Sequence, residues 1–275
     1  MHGASTITQS PPCHSAAVQQ FVVSRIHSNI KLTAMTDIRQ LLKEFERFAY
    51  GESLHTAFTD LLDWILLPFK RYEDKLEQQA ALDTYRGHKK VNELARLVTL
   101  IGELSEGFRD PLGELYMQAI SNGHNGQYFT PEPICDMMAA ISVGNPTDGQ
   151  TVADCACGSG RMLLSAAKIN RHLKLYGADL DLTCCKMALI NLLLNSLQGE
   201  VAHMNSLSND FYRGYKVQTT LVDGYHMPYY VEFTEPEQSQ LWLKPVKEQA
   251  KPNFDSPFEP VRAPQPINGV QGSLF

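Results

Sequence analysis

The sequence predicts an α/β fold, a truncated parallel sheet preceded by a helical segment, and three observations carry that prediction. From Thr151 onward, short apolar runs alternate with helical stretches, the order required by a parallel sheet with right-handed crossovers. The run Thr151 to Asp154 closes on a Gly158-Ser159-Gly160 turn and an apolar segment opens at once, which is how a buried strand passes through a tight loop into a helix. Residues 37–121, by contrast, repeat apolar positions at helical spacing.

Taken in order, residues 1–36 are polar and lack a sustained period, so they read as a flexible tail, with Met35 as an alternative natural start. Ile38, Leu41, Leu42, Phe45 and Phe48 share one helical face; Leu54, Phe58, Leu61, Leu62, Ile65 and Leu66 repeat the pattern until Pro68 stops it. Val91, Leu94, Val98, Ile101 and Leu104 predict a third helix, and Asp110-Pro111, a cap followed by a first-turn proline, opens a fourth. After a turn-rich linker the Gly126-Gln127-Tyr128-Phe129-Thr130-Pro131 segment leads into a helix carrying Ile134, Met137, Met138 and Ile141. Strands are then expected near 151–155, 173–178, 201–204 and 217–222, with helices at 161–170 and 183–196 between them. Tyr229–Phe233 and Gln240–Leu243 are expected to form one short hairpin. The domain reading is a tail (1–36), a helical segment (37–121), an α/β domain (122–234) and a Pro-rich extended tail (235–275) that holds seven of the fifteen prolines.

A net charge of −6 argues against a free-standing nucleic-acid binder, since phosphate contacts call for a basic face; DNA binding would need help from another subunit. The six cysteines form no zinc-type pairs and no disulfide framework, so they are read as reduced core thiols with no metal site. No run reaches the ~18 apolar residues of a membrane span, and the expected location is cytoplasmic, away from membranes.

The chemistry concentrates on the glycine loop. Gly158 and Gly160 can adopt backbone angles barred to other residues, and the helix opening near Arg161 points its N–H groups at the same place. On the glycines alone, an ordinary strand-to-helix turn is an equal reading. The second strand ends at Tyr176-Gly177-Ala178-Asp179-Leu180-Asp181, where an acidic side chain can accept both hydroxyl protons of a ribose. Asp179 and Asp181 are the candidates, although Asp181 can equally cap the next helix.

Three segments together resemble the N-6 adenine DNA methylases, especially the modification subunits of type I restriction systems. Gly126 to Pro131 is similar to their G-x-[FY]-[FY]-T-P segment, and Asp154 to Gly160 to their D-P-x-C-G-S-G loop with Cys155 in place of proline. Gly177-x-Asp179-x-Asp181 with Asn191-Leu192 resembles their G-x-E-x-D followed by N-L. The resemblance implies a Rossmann-like methyltransferase fold using S-adenosylmethionine. Tyr128, Thr130, Asp154, Cys157, Gly158 and Gly160 would hold its methionine part, Asp179 or Asp181 its ribose, and Asn205, where the family has aspartate, its adenine amino group.

For the family's Asn/Asp-Pro-Pro-Tyr/Phe motif the nearby candidate, just after the strand-like Thr219 to Val222, is His226-Met227-Pro228-Tyr229, with His226 at the acceptor position, so His226, Pro228 and Tyr229 are the candidate catalytic residues in a degenerate form. The acceptors of that motif orient the adenine amino lone pair toward the methyl group, and its aromatic ring stacks on the flipped base. The implied activity is methyl transfer to adenine N6 in restriction-modification DNA. The alternative is a catalytically inactive methylase-like accessory or decoy. The C-terminal Gln271-Gly272-Ser273-Leu274-Phe275 resembles the docking peptide of bacterial sliding-clamp partners through Gln271, Leu274 and Phe275.

Overall fold

Apolar spacing accounts for most of the helical part. The structure is a computed structural model that describes residues 38–121, 129–222 and 224–244. Helix α1 (Ile38–Phe48) buries Leu41, Phe45 and Phe48; α2 (Leu54–Leu66) buries Phe58, Leu61, Leu62 and Ile65. The Thr56 N–H donates to Ser53 Oγ at 3.0 Å, capping α2, and Pro68 lies in the single 3-10 turn that follows it. Helix α3 (Lys75–Gly87) is absent from the sequence reading because it buries only Leu82 and so has no apolar stripe to read. It is held instead by the Asp74 cap and by Tyr85 stacked on Trp64 at 4.1 Å. Helix α4 (Val91–Leu104) and the short α5 (Pro111–Tyr116) complete the group, and a π-helical turn (Met117–Ser121) follows. Phe58 meets Phe45 edge-on at 6.0 Å and Tyr116 at 5.5 Å, so α1, α2 and α5 share one aromatic centre.

After α6 (Glu132–Val143) the chain enters a five-stranded sheet of order β1-β2-β3-β4-β5. Strands β1 (Thr151–Asp154), β2 (Lys174–Asp179) and β3 (Gln198–Asn205) are parallel, with Asp154 opposite Gly177 and Asp179 opposite His203. The crossovers are α7 (Arg161–Ile169) and α8 (Leu182–Leu194). Both advance the same way across the sheet, so right-handedness puts them on the same face. Helix α8 is apolar nearly all round because it lies between the sheet and the helical segment; Phe58, Leu61, Leu189 and Val201 belong to one continuous core. The opposite face carries a small cluster of Ala178, Ala202 and Met204, covered by Phe211 and Leu241.

The expected fourth strand near 217–222 is the end of a much longer one, β4 (Asp210–Val222), which runs antiparallel to β3 and pairs with β5 (Tyr225–Phe233) as a hairpin. The Asp-Gly pair at 223–224 is the sequence signal for that hairpin. The short hairpin expected from 229–233 and 240–243 does not form: the first half belongs to β5, and the second is not a strand. Nor does an extended tail begin at 235. Ser239 is buried, its hydroxyl donates to Glu200 at 2.5 Å, and the Gln240 N–H donates to the same carboxylate. The chain divides into two units after Leu243, and beyond Lys244 the second unit lies outside the described residues.

Candidate cofactor site

The three parallel strands end in Asp154, Asp179 and Asn205, so the residues singled out in the sequence share the carboxyl edge of the sheet, where ligands of open α/β sheets bind. Asp179 ties the loop to β2. Its Oδ2 accepts the Gly158 N–H at 2.8 Å, and its Oδ1 accepts the Asp181 N–H at 2.9 Å. The Cys157 N–H reaches the Ala178 carbonyl, and the Gly160 N–H the Cys157 carbonyl, closing a tight turn. Gly158 and Gly160 have φ of +54° and +83°, angles that a side chain would strain. A Cβ on Gly158 would also press on the Phe129 ring at 3.0 Å, and one on Gly160 on the α8 backbone at Ala188 at 3.2 Å. The glycines therefore serve both backbone angle and close packing.

Asp154 accepts the Ala156 N–H at 3.1 Å. Burial pushes its carboxyl above the usual carboxylate range; the Ala156 hydrogen bond opposes that shift, and the nearby Asp179 charge adds to it. A cationic group brought against Asp154 would reverse the shift. Beside it lies a cleft of about 430 Å³, lined among others by Phe129, Thr130, Met138, Asp154, Cys157 and Gly158.

A second arrangement, hidden from the sequence, holds the loop from behind. Asp110, expected only as a helix cap, does accept the Gly113 N–H at 2.8 Å, but three further donors converge on its buried carboxylate. They are Ser159 Oγ at 2.5 Å, Arg161 Nε at 3.0 Å and Asn191 Nδ2 at 2.8 Å. Asn191 Nδ2 also donates to the Ser159 carbonyl at 2.9 Å, and Arg161 Nη1 to the Thr130 carbonyl at 3.1 Å. In the sequence Asn191 stands out only through the family resemblance. A lone amide in the otherwise apolar run Met187–Leu194 is the physical signal that it bonds to something buried.

Several expected site residues have additional or different tasks. Asp181 caps α8 by accepting the Thr183 N–H at 2.7 Å. Asn205 Oδ1 accepts the N–H groups of Leu207 and Ser208, so the acceptor oxygen expected to face the cofactor adenine is committed to a turn. Thr130 and Cys157 line the cleft; Tyr128, Gln271, Leu274 and Phe275 lie outside the described residues.

His226, Pro228 and Tyr229 do not join the loop. They lie within β5, opposite Leu221, Thr219 and Gln218. His226 sits beside Arg171, Ser196 and Gln198, at the amino end of the parallel strands. The length of β3 alone separates the two edges by about 20 Å. The motif does follow the strand that holds residues 217–222, but it continues the antiparallel hairpin as part of β5. Pro228 is accommodated because β5 is the last strand of the sheet, and the Tyr229 hydroxyl donates to Gln218.

Burial raises the thiol pKa values of Cys135, Cys157, Cys184 and Cys185, whereas Cys155 is exposed. Brief alkylation of the native protein is therefore expected to label Cys155 and spare these four. Peptide mass spectrometry checks this, with all four reacting once urea unfolds the chain. Among the described residues no group of three or more His, Cys, Asp or Glu is placed to hold a metal ion, and no helix is long and apolar enough to cross a membrane.

The chain is 27% identical over 139 residues to the type I restriction enzyme MpnII methylase subunit of Mycoplasma pneumoniae, covering 46% of this chain and 25% of that protein. The chain thus spans about a quarter of that relative's length. Among solved structures, the methyltransferase subunit of a Streptococcus thermophilus type I restriction-modification system covers 67% of this chain and 49% of its own, at 15% identity and a TM-score of 0.31. The family model described as N-6 DNA Methylase matches residues 109–251, a span that begins beside Asp110 and takes in the loop, Asp179 and Asn205. Over that span, more than half of its length, the chain belongs to the N-6 DNA methylase family.

Proposed function

We propose that this chain is the cofactor-binding part of an S-adenosylmethionine-dependent methyltransferase acting on adenine N6 in DNA, working with another subunit that supplies most of the DNA contact. The observation that carries the proposal is the glycine loop bonded to Asp179 at the carboxyl edge of three parallel strands, inside the span that matches the family. S-adenosylmethionine, when bound, supplies an electrophilic methyl group on a sulfonium. The residues present suit it: a close-packed glycine turn, a cleft floored by Asp154, and acidic groups at the end of β2. Asp154 would face the ammonium of the methionine part, whose positive charge would oppose the upward shift that burial gives its carboxyl. Asp179 keeps lone pairs beyond its two backbone bonds for ribose hydroxyls, and Asp181 stands beside it. With its oxygen engaged, Asn205 would offer its amide N–H₂ to an adenine ring nitrogen rather than accept from the amino group.

A second reading is favoured by one observation. The candidate for the base-holding motif, His226 to Tyr229, lies at the far edge of the sheet. A methylase-like accessory protein that binds cofactor without transferring methyl would have that arrangement. Equilibrium binding of radiolabelled S-adenosylmethionine, followed by incubation with unmethylated DNA of mixed sequence, separates the readings. Saturable binding with adenine methylation supports the enzyme, and binding without transfer by the chain and its co-purifying subunits supports the accessory protein. Absence of binding rejects both.

A further inference from the structure

We propose that Asp110 is a positioning residue through which the helical segment sets the conformation of the glycine loop, so that cofactor affinity depends on the docking of that segment. The inference rests on the cofactor reading above, but its physical basis is independent of any ligand. Ser159 is the residue between the two positive-φ glycines. Both of its polar handles are held from elsewhere: the hydroxyl by Asp110, across 49 positions, and the carbonyl by Asn191, which is itself bonded to Asp110. Arg161, the first residue of α7, is bonded by Asp110 through Nε and meets Glu114 of α5 through Nη2 at 3.2 Å.

A Gly-Ser-Gly turn has wide backbone freedom when unconstrained, because each glycine can occupy regions closed to other residues. Fixing the central residue at its side chain and its carbonyl removes that freedom. Asp110 suits the task because an ionised carboxylate is acceptor-only and offers about four lone-pair sites, and the four donors found there use them. Without the Asp110 carboxylate beside it, the Arg161 charge would stay at a buried site with less to balance it, and the Asn191 amide could turn. The same carboxylate begins α5, so movement of α5 away from the sheet would release the loop. Beyond its ion pair with Arg161, Asp110 holds the loop's central serine directly at the hydroxyl and, through Asn191, at the carbonyl.

The test uses the full chain with Asp110→Asn and Ser159→Ala, singly and together, and two measurements. In the first, hydrogen exchange followed by mass spectrometry is expected to speed up at least tenfold in the 155–163 peptide of Asp110→Asn and several-fold in Ser159→Ala, with the β3 peptide (198–205) unchanged. In the second, S-adenosylmethionine affinity is expected to fall at least tenfold in Asp110→Asn, with Ser159→Ala adding little to it. Unchanged exchange in the loop, or acceleration spread equally over β3, would overturn the inference. So would affinity within twofold of the parent in both variants. If Asp110→Asn fails to fold, as circular dichroism would show, Ser159→Ala decides by the same two criteria. A parent chain that binds no cofactor rejects the cofactor reading; loop exchange then still decides the role of Asp110.

Discussion

Gly199→Ala is expected to cost more than about 4 kcal/mol of folding stability, a loss reached only by single substitutions that break a specific structural requirement. A Cβ at this position would lie 1.7 Å from the Leu175 carbonyl oxygen and 2.6 Å from its carbon, both in the backbone of β2. No rotamer change relieves that contact. Residues 175 and 199 are register partners, so β3 could accommodate the methyl group only by moving off β2, breaking the ladder that runs from Lys174–Gln198 to Asp179–His203. The φ of +157° adds a conformation that other residues rarely adopt. Urea unfolding monitored by circular dichroism checks the expectation. A midpoint within 0.5 M of the parent, at a slope of ~1–3 kcal/mol per M, would contradict it. Because β2 and β3 carry Asp179 and Asn205 at their ends, the variant is expected to lose the site along with the sheet.

Asp179→Ala is expected to lower S-adenosylmethionine affinity at least 100-fold, with a fall in stability of about 2 kcal/mol. The substitution strips the acceptor from the Gly158 and Asp181 N–H groups and removes the group proposed to meet the ribose. Leaving a part-buried N–H without a partner carries its full desolvation cost, about 1–3 kcal/mol per group. Asp179→Asn separates the two effects: its single carbonyl oxygen can satisfy one of the N–H groups while its amide faces the other, so affinity is expected to fall less than in the alanine variant. Equal affinities for parent and Asp179→Ala, measured by calorimetric titration, would remove Asp179 from the site.

These two residues mark what is local and what is not. Asp179 is legible because a strand that ends in an acid about twenty residues after a glycine turn places that acid at the carboxyl edge whatever surrounds it. Gly199 carries no such signal. A glycine within a strand is ambiguous until its neighbour is known, and here the neighbour is a carbonyl oxygen 24 positions earlier in the chain. The same distinction explains why His226 to Tyr229 lie away from the loop. Their spacing from the glycine turn suits the family, but distance along the chain does not say which edge of the sheet a strand will present. Strand β4 runs antiparallel to β3 and carries the chain back to the amino end of the parallel strands, where β5 begins with the motif.

By itself the sequence determined the alternation of strands and helices from Thr151, the glycine loop, and the acidic groups that follow it, because each depends on backbone geometry and periodicity within a few residues. Only the tertiary structure decided that β4 and β5 turn back as an antiparallel hairpin, that Ser239 returns to Glu200, and that Asp110 grips Ser159, Arg161 and Asn191. Those contacts join residues 39 to 81 positions apart, or follow from strand direction. Buried polar groups must find partners wherever packing brings them together, and no local pattern records where that will be.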